Sequence, residues 1–409
     1  MIMEYKLGEL AEIGRGSSPR PIADQRYFDG GNIPWIKIAD ATVSGKYIYE
    51  TKEHVNEFGA SYSRKLKPGT LIIAASGTLG FPKFLGCDGC IHDGWMYFSD
   101  IKEDIIDRDY LYYYLITLRE YFNNLSYGAA IQNINTPIVK ATKIQIPSLT
   151  AQKKIASLLS YYDDLIENNL ARISLLEKMA SELYKEWFVR FRFPGHETAK
   201  FVNGLPEGWN LRKISEVGAV VGGGTPSTSN DDYWDGGIPW LTPADLADNK
   251  NIYVERGERD ISVKGLEKSS TILLPPETVL LSSRAPIGYV ALAKNEICTN
   301  QGFKSVICDT AKILPIYLYL YFKKNKQLLE NYASGSTFAE LSAKRVNNIK
   351  IPVPSIDIQK KFENLLRPII DETYYLEKRN QNLTKQRDLL LPRLMSGKLS
   401  VEPLLTKTA

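Results

Sequence analysis

The sequence predicts a mixed α/β (α+β) fold: two repeated domains with substantial β content, separated by two long antiparallel coiled-coil helices. Three observations lead there. A set of motifs recurs at a near-constant offset. Each copy carries short β-like runs divided by turn residues. Each copy then ends in a long segment with apolar residues every seven positions.

The repeat is the primary signal. Tyr27-Phe28-Asp29-Gly30-Gly31-Asn32-Ile33-Pro34-Trp35 returns as Tyr233-Trp234-Asp235-Gly236-Gly237-Ile238-Pro239-Trp240. Leu71–Ser76 returns as Val279–Arg284, and Pro147–Lys154 as Pro354–Lys361. The offsets are 205, 208 and 207 residues, as small loop insertions in one plan would give. Three matches in the same order leave little room for coincidence. The β-like runs include Ile33–Ile38, Leu71–Ala75, Thr278–Leu281 and Tyr289–Ala293. Gly, Pro, Asn and Asp punctuate them, as strand ends require. Aromatic-rich stretches at Tyr110–Leu125 and Pro315–Tyr332 read as helices within the same domains.

The second part of each copy reads as a helix. Leu159, Ile166, Ile173, Ala180 and Trp187 fall at seven-residue steps, alongside Ile155, Tyr162, Asn169, Leu176 and Leu183. The later segment gives Phe362, Ile369, Leu376, Leu383 and Leu390, alongside Leu366, Thr373, Asn380, Arg387 and Leu394. Paired heptad series define a helix–helix seam, and the polar Asn169 and Asn380 within it would fix register. A helix of ~38 residues is ~57 Å long, so an antiparallel pair would act as a spacer. A helix packed only on its own domain remains the alternative. The expected segments are 1–147 (first globular domain), 148–193 (first helical spacer), 194–354 (linker and second globular domain) and 355–409 (second helical spacer and tail).

Bulk composition is that of an ordinary globular protein, with 44% apolar and 24% charged residues. A net charge of +4 neither demands nor excludes a polyanionic partner. Four cysteines in 409 residues, no leader-like opening at Met1–Lys6 and no long apolar run point to a cytoplasmic protein without a membrane span. Catalytic chemistry is hard to find. All three histidines, His54, His92 and His196, lie in the first half, whereas a duplicated enzyme would carry its set twice. Gly222-Gly223-Gly224-Thr225-Pro226 lacks the lysine of a phosphate loop and reads as a turn. No Asn/Asp-Pro-Pro-aromatic or Gly-x-Ser-x-Gly signature is present. Cys87-Asp88-Gly89-Cys90 has no second ligand pair at zinc-finger spacing, so no metal is expected.

The motif order resembles the specificity subunit of type I restriction-modification systems over essentially the whole chain. The second copy carries Thr225-Pro226-Ser227, Gly237-Ile238-Pro239-Trp240, Ser283-Arg284-Ala285-Pro286-Ile287-Gly288, Asn300-Gln301-Gly302-Phe303, Ser334-Gly335-Ser336-Thr337 and Ile351-Pro352-Val353-Pro354. The junction Trp187-Phe188-Val189 with Gly204–Trp209, and the tail Leu394–Leu399, are similar to the family's. The first copy departs from the pattern, with Ser76-Gly77-Thr78 for Ser283-Arg284 and His92-Asp93-Gly94-Trp95 for Asn300–Phe303.

The resemblance implies a non-catalytic subunit with two target-recognition domains reading a bipartite, asymmetric double-stranded DNA target. The helices would set the half-site spacing and dock two modification subunits. It implies no cofactor in this chain: S-adenosylmethionine would be bound by the adenine-methylating partners, ATP and Mg by restriction subunits. Arg suits guanine, and Asn or Gln suits adenine. The expected DNA-facing residues are Arg15, Ser17, Ser18, Arg20, Lys83, Gln132, Asn133 and Asn135 in the first copy. In the second they are Thr225, Ser227, Arg284, Gln301, Lys304, Ser336 and Thr337. The expected seam is Leu159, Ile166, Ile173, Leu176 and Leu183 with Phe362, Ile369, Leu376, Leu383 and Leu390. Rival readings are a fused enzyme with its own methyltransferase, a non-reading scaffold or inhibitory paralogue that docks on modification subunits, and a duplicated ligand-binding β protein.

Overall fold

The computed structural model describes residues 2–42, 44–77, 79–125, 133–248, 251–284, 286–333 and 340–401. The chain forms two compact units. Unit 1 is Met1–Asn168 together with Asn380–Ala409; unit 2 is Asn169–Arg379. The two long helices, Leu149–Tyr184 and Ile356–Met395, each contribute one part to either unit.

Unit 1 holds a five-stranded sheet in the order Glu12–Arg15, Trp95–Ser99, Leu71–Ala74, Pro82–Leu85, Tyr47–Ile48. Only the last pairing is parallel. A second sheet runs His54–Val55, Ile33–Ile36, Gly89–Ile91, Arg64–Leu66, and Met3–Lys6 pairs with Lys143–Ile146. Leu71-Ile72-Ile73-Ala74 is buried throughout, as a β-branched run between two layers must be. Lys143–Ile146 alternates exposed and buried, the mark of a strand with one wet face.

Unit 2 repeats this plan, with one strand fewer in its second sheet. Its five-stranded sheet runs Gly218–Gly222, Lys304–Cys308, Val279–Leu281, Val290–Ala293, Tyr253–Val254, again with the last pairing parallel. Its second sheet is Arg259–Ile261, Trp234–Leu241, Cys298–Thr299, and Asn210–Lys213 pairs with Lys350–Val353. The repetition reaches single hydrogen bonds. Buried Gln152 accepts from the Asp107 N–H at 2.9 Å and donates to the carbonyls of Ile105 at 3.0 Å and Pro147 at 2.9 Å. Buried Gln359 accepts from the Leu314 N–H at 2.8 Å and donates to Lys312 at 3.0 Å and Pro354 at 2.9 Å. Each glutamine closes three backbone groups that burial would otherwise leave unpaired, fastening the first turn of a long helix to its globular body.

Within each unit the helix segments pack along the heptad faces. In unit 1, Ile155, Ala156 and Leu159 share one core with Leu391 and Leu394, and Leu390 packs on its edge. Arg387 pairs with Asp163 at 2.5 Å, and Asp163 also accepts from the Tyr113 hydroxyl. Asn380 donates to the Ile166 carbonyl at 3.5 Å. In unit 2, Trp187 and Phe188 meet Phe362 with ring centroids 5.5 and 4.7 Å apart, and Leu183, Leu366 and Ile369 join the same core. Arg172 bridges to Glu372 at 2.5 Å. Ile166, Ile173, Leu176, Leu183, Ile369, Leu383 and Leu390 are half-buried, while Leu159, Phe362 and Leu376 are buried. No helix among the described residues is long and apolar enough to cross a membrane.

One seam residue of unit 2 conflicts with its surroundings. Glu377 is only 8% exposed, and its Oε2 has no hydrogen-bond partner among the described residues. Burial first, and the Glu177 carboxylate second, push its pKa up from 4.5 to about 8. The folded state therefore keeps a proton that the unfolded chain releases, so stability is fullest below about 4.5 and declines until about 8. Glu377→Gln is expected to raise the unfolding midpoint of unit 2 at about pH 9 and change it little at about pH 5. Thermal unfolding of both forms at the two pH values measures this; equal shifts at both would contradict it.

Candidate nucleic-acid interface

In unit 1 the strand Glu12–Arg15 leaves its sheet beside the turn His92–Trp95. Gly16 donates to the Trp95 carbonyl at 2.9 Å, and a Cβ on Gly16 would lie 2.3 Å from the His92 carbonyl oxygen. Only glycine permits so close a pass, which brings the following residues onto the turn. Asp93 organises them. Its carboxylate accepts from Ser18 Oγ at 3.1 Å and pairs with Arg20 at 2.5 Å, and its backbone carbonyl accepts from Arg15 Nε at 2.8 Å. Arg15 also donates to Asn133 Oδ1 at 2.9 Å, and Asn133 bridges to Ser76.

The His92 ring completes the turn. Its Nδ1 accepts from the Gly94 N–H at 2.8 Å, which leaves Nε2–H to donate to Asp93 Oδ1, 3.0 Å away. Burial lowers the His92 pKa more than Asp93 raises it, so the ring is neutral at pH 7. Burial opposes the Asp93 charge, but His92, Ser18 and Arg20 outweigh it and hold the carboxyl below its ordinary pKa. The result is a fixed surface cluster with two guanidinium groups, a carboxylate and an amide.

Unit 2 builds the same turn with other side chains. Asn300 Oδ1 accepts from the Gly302 N–H at 2.8 Å, the counterpart of the His92–Gly94 bond. Gln301, standing where Asp93 stands, takes a hydrogen bond from Thr225 Oγ1 at 2.6 Å, as Asp93 does from Ser18. Gly224 donates to the Thr299 carbonyl at 2.9 Å, and a Cβ on Gly223 would lie 2.2 Å from two backbone oxygens. Arg284 lies 3.4 Å and Lys304 3.6 Å from the Glu340 carboxylate, which thus gathers the second domain's cations. Burial lowers the Lys304 pKa against the opposing pull of Glu340. Ser227 shares a 2.8 Å hydrogen bond with Ser229, and its carbonyl accepts from Trp234 Nε1 at 3.1 Å.

The expected residues thus sort unevenly. Arg15, Ser18, Arg20 and Asn133 converge on one turn, with exposed Ser17 beside them. Thr225, Gln301, Lys304 and Arg284 gather on its counterpart, with Ser227 along the same loop. Asn135 is exposed, but its Oδ1 is engaged in capping a helix through the Ile138 N–H at 3.0 Å. Lys83 is corrected outright. It is 4% exposed, and its ammonium donates to the carbonyls of Ser44 and Gly45. Its strand, Pro82–Leu85, is buried on both faces, so this lysine packs inside unit 1 and offers nothing to an outside ligand. Gln132, Ser336 and Thr337 lie outside the described residues. Asp93, His92 and Glu340 were not among the expected contacts. The sequence signal for the first two was the replacement of Asn300-Gln301 by His92-Asp93 at one repeat position. Among the described residues no three His, Cys, Asp or Glu side chains gather as metal ligands.

The model of the type I restriction modification DNA specificity domain matches residues 2–178 and again 206–385. The type I restriction enzyme MjaIX specificity subunit of Methanocaldococcus jannaschii is 40% identical over 201 residues, 49% of this chain and 46% of that protein. The HindI specificity subunit of Haemophilus influenzae is 24% identical over 97% of this chain and 99% of its own length. The crystal structure of the S subunit from M. genitalium shares the fold, with a TM-score of 0.60 at 16% identity over 96% of both chains. Two matched domains spanning most of the sequence, on a fold built twice to one plan, establish that the chain belongs to the family of type I restriction-modification DNA specificity subunits, the non-catalytic components that recognise DNA.

Proposed function

We propose that this chain reads a bipartite, asymmetric DNA target, one half-site per unit. The observation that carries the reading is the turn built twice on one backbone plan but with different side chains: Asp93 with Ser18, Arg20 and Arg15 in unit 1, Gln301 with Thr225 in unit 2. A duplicated scaffold with unlike readers gives two unlike half-sites. Arginine is suited to guanine through two parallel donors, glutamine to adenine, and a carboxylate to the amino group of cytosine. Exposed hydroxyls such as Ser17 and Ser227 are suited to phosphates, which position the protein without specifying sequence.

The helices of 36 and 40 residues would be rods of ~54 and ~60 Å that hold the half-site spacing. Their exposed faces carry Tyr161, Leu175, Met179, Leu365 and Tyr375, apolar side chains suited to protein partners. Two modification subunits dock there in this reading. Those partners bring S-adenosylmethionine and methylate adenine, and restriction subunits bring ATP and Mg. This chain supplies address and geometry, and works in the cytoplasm.

Methylation mapping tests the reading. The chain is co-expressed with its modification subunits in a host without DNA methylation, and modified bases are sequenced. One motif with two fixed halves and a constant gap is expected. Arg15→Ala and Arg284→Ala are each expected to relax one half only, by about 1–3 kcal/mol of discrimination at a single position. A stable complex that methylates nothing, or variants that relax both halves alike, would contradict the reading and favour a non-reading scaffold.

A further inference from the structure

Beside the unit 1 turn lies an exposed aromatic group that the recognition cluster does not use. Tyr27 is buried, with Phe58 stacked on it at 5.3 Å and Tyr62 edge-on at 5.5 Å. Phe58 and Tyr62 meet each other at 5.3 Å and remain 49% and 51% exposed. Folding has thus fixed two large rings while leaving half of each in water. The group is tied directly to the recognition loop. Tyr27 donates its hydroxyl to the Arg20 carbonyl at 3.0 Å, and Ser63 Oγ donates to the Ser17 carbonyl at 2.6 Å.

Its surroundings are cationic. Arg20 and Arg26 are exposed on one side, where Arg20 pairs with Asp93 and Arg26 with Asp24, and Arg64 and Lys65 follow on the strand after Tyr62. Among the described residues neither Arg64 nor Lys65 pairs with a carboxylate, although Lys67 just beyond them pairs with Asp88. Rings set beside the two cations Arg64 and Lys65 suit a polyanion that also offers flat or apolar surface, which a neutral protein surface does not.

The same place in unit 2 carries a different chemistry. The helix Glu57–Ser61 is capped by Asn56 and the helix Val263–Glu267 by Ser262, each through the N–H of a glycine. A Cβ on Gly59 would lie 2.4 Å from the Tyr27 carbonyl oxygen, and one on Gly265 would lie 2.3 Å from that of Tyr233. The backbones therefore correspond, and Phe58 and Tyr62 fall where unit 2 has the exposed Lys264 and Lys268. One position on a duplicated scaffold holds rings in one copy and ammonium groups in the other. Both chemistries serve nucleic acid, the first through bases and sugars, the second through phosphates.

We infer that this short helix is a second DNA-contacting element of each unit, in which Phe58 and Tyr62 pack on the bases or sugars of one half-site while Lys264 and Lys268 hold phosphates at the other. The inference rests on the reading proposed above and adds an apolar, salt-insensitive contact to one half-site alone. Stacked rings carry sequence preference through the shape and unstacking of the step they press on, so they would help specify the first half-site.

The test uses the complete complex with its modification subunits and a duplex bearing its mapped motif. Phe58→Ala with Tyr62→Ala is expected to weaken binding about ten-fold or more without changing the salt dependence. It should relax the first half-site in methylation maps and leave the second intact. Lys264→Ala with Lys268→Ala should weaken binding and flatten the slope of log affinity against log salt by about two, with the motif unchanged. Phe58→Lys with Tyr62→Lys, which installs the side chains of unit 2, should recover affinity at low salt with a steeper salt dependence. This lysine variant and the thermal midpoint of each protein separate lost contact from lost folding. Alanine variants with wild-type affinity, slope and motif would overturn the inference while leaving the two-half-site reading in place. Alanine variants that no longer assemble with the modification subunits would also overturn it, by assigning the rings to a protein partner. A wild-type complex with no motif would instead bring down the underlying reading, and this inference with it.

Discussion

The apolar seam between two helix segments from distant parts of the chain is the constraint on which each unit depends. Unit 1 is completed by residues from 380 onward, because Leu391, Leu394 and Val401 share its core with Ile155 and Leu159. Unit 2 is completed in the same way, with Trp187 and Phe188 set against Phe362 and Leu366. A lone heptad helix would expose its stripe to water, at roughly 25 cal/mol for each Å² of apolar surface left unburied. The seam removes that cost, and the glutamines Gln152 and Gln359 carry its geometry into the sheets by closing the same three backbone groups in each copy.

Polar groups then give each unit's seam its own character. Unit 1 sets Asp163 between Arg387 and Tyr113, and Lys46 between Asp109 and Ser160. Unit 2 has Glu255 bound by Lys378 and Tyr374, Arg367 against Glu277 and Glu363, and the buried carboxyl of Glu377. Pairs with a buried member, such as Asp163 or Lys46, add little net stability, but breaking one leaves an uncompensated charge. The Asp163–Arg387 pair, which joins the two helix segments, discourages a wrong register between them, while the unit 2 pairs tie one helix to its globular body.

Much of this was legible in the sequence, for physical reasons. A period of seven survives inspection because every seam position faces the same way, so Leu159, Phe362 and Leu376 announce their burial. A duplicated motif such as Ile33-Pro34-Trp35 marks the core because Trp35 and Trp240 fill the same site in both copies. Single functional side chains were less legible. Lys83 stands among the expected DNA-facing residues, yet both faces of its strand are covered. Asn135 looks like a base reader and serves as a helix cap. Asp93 holds Arg15, Ser18 and Arg20 in one arrangement, a role that no base-pairing rule for single side chains points to. Such roles depend on which loop faces which, and no local pattern records that.

The exchange of helix segments is also the claim most open to direct test. Leu394 is 2% exposed in the core of unit 1, though it lies more than two hundred residues from the helix it packs against. Truncating such a leucine to alanine costs about 2–5 kcal/mol. Hydrogen exchange of the Leu394→Ala chain, compared strand by strand with the unaltered protein, measures where that cost falls. Faster exchange at Leu71–Ala74 and Trp95–Ser99, with Val279–Leu281 and Lys304–Cys308 unchanged, is the expected result. Unchanged protection in the unit 1 strands would contradict the account, since those strands would then stand without the helix segment said to complete them.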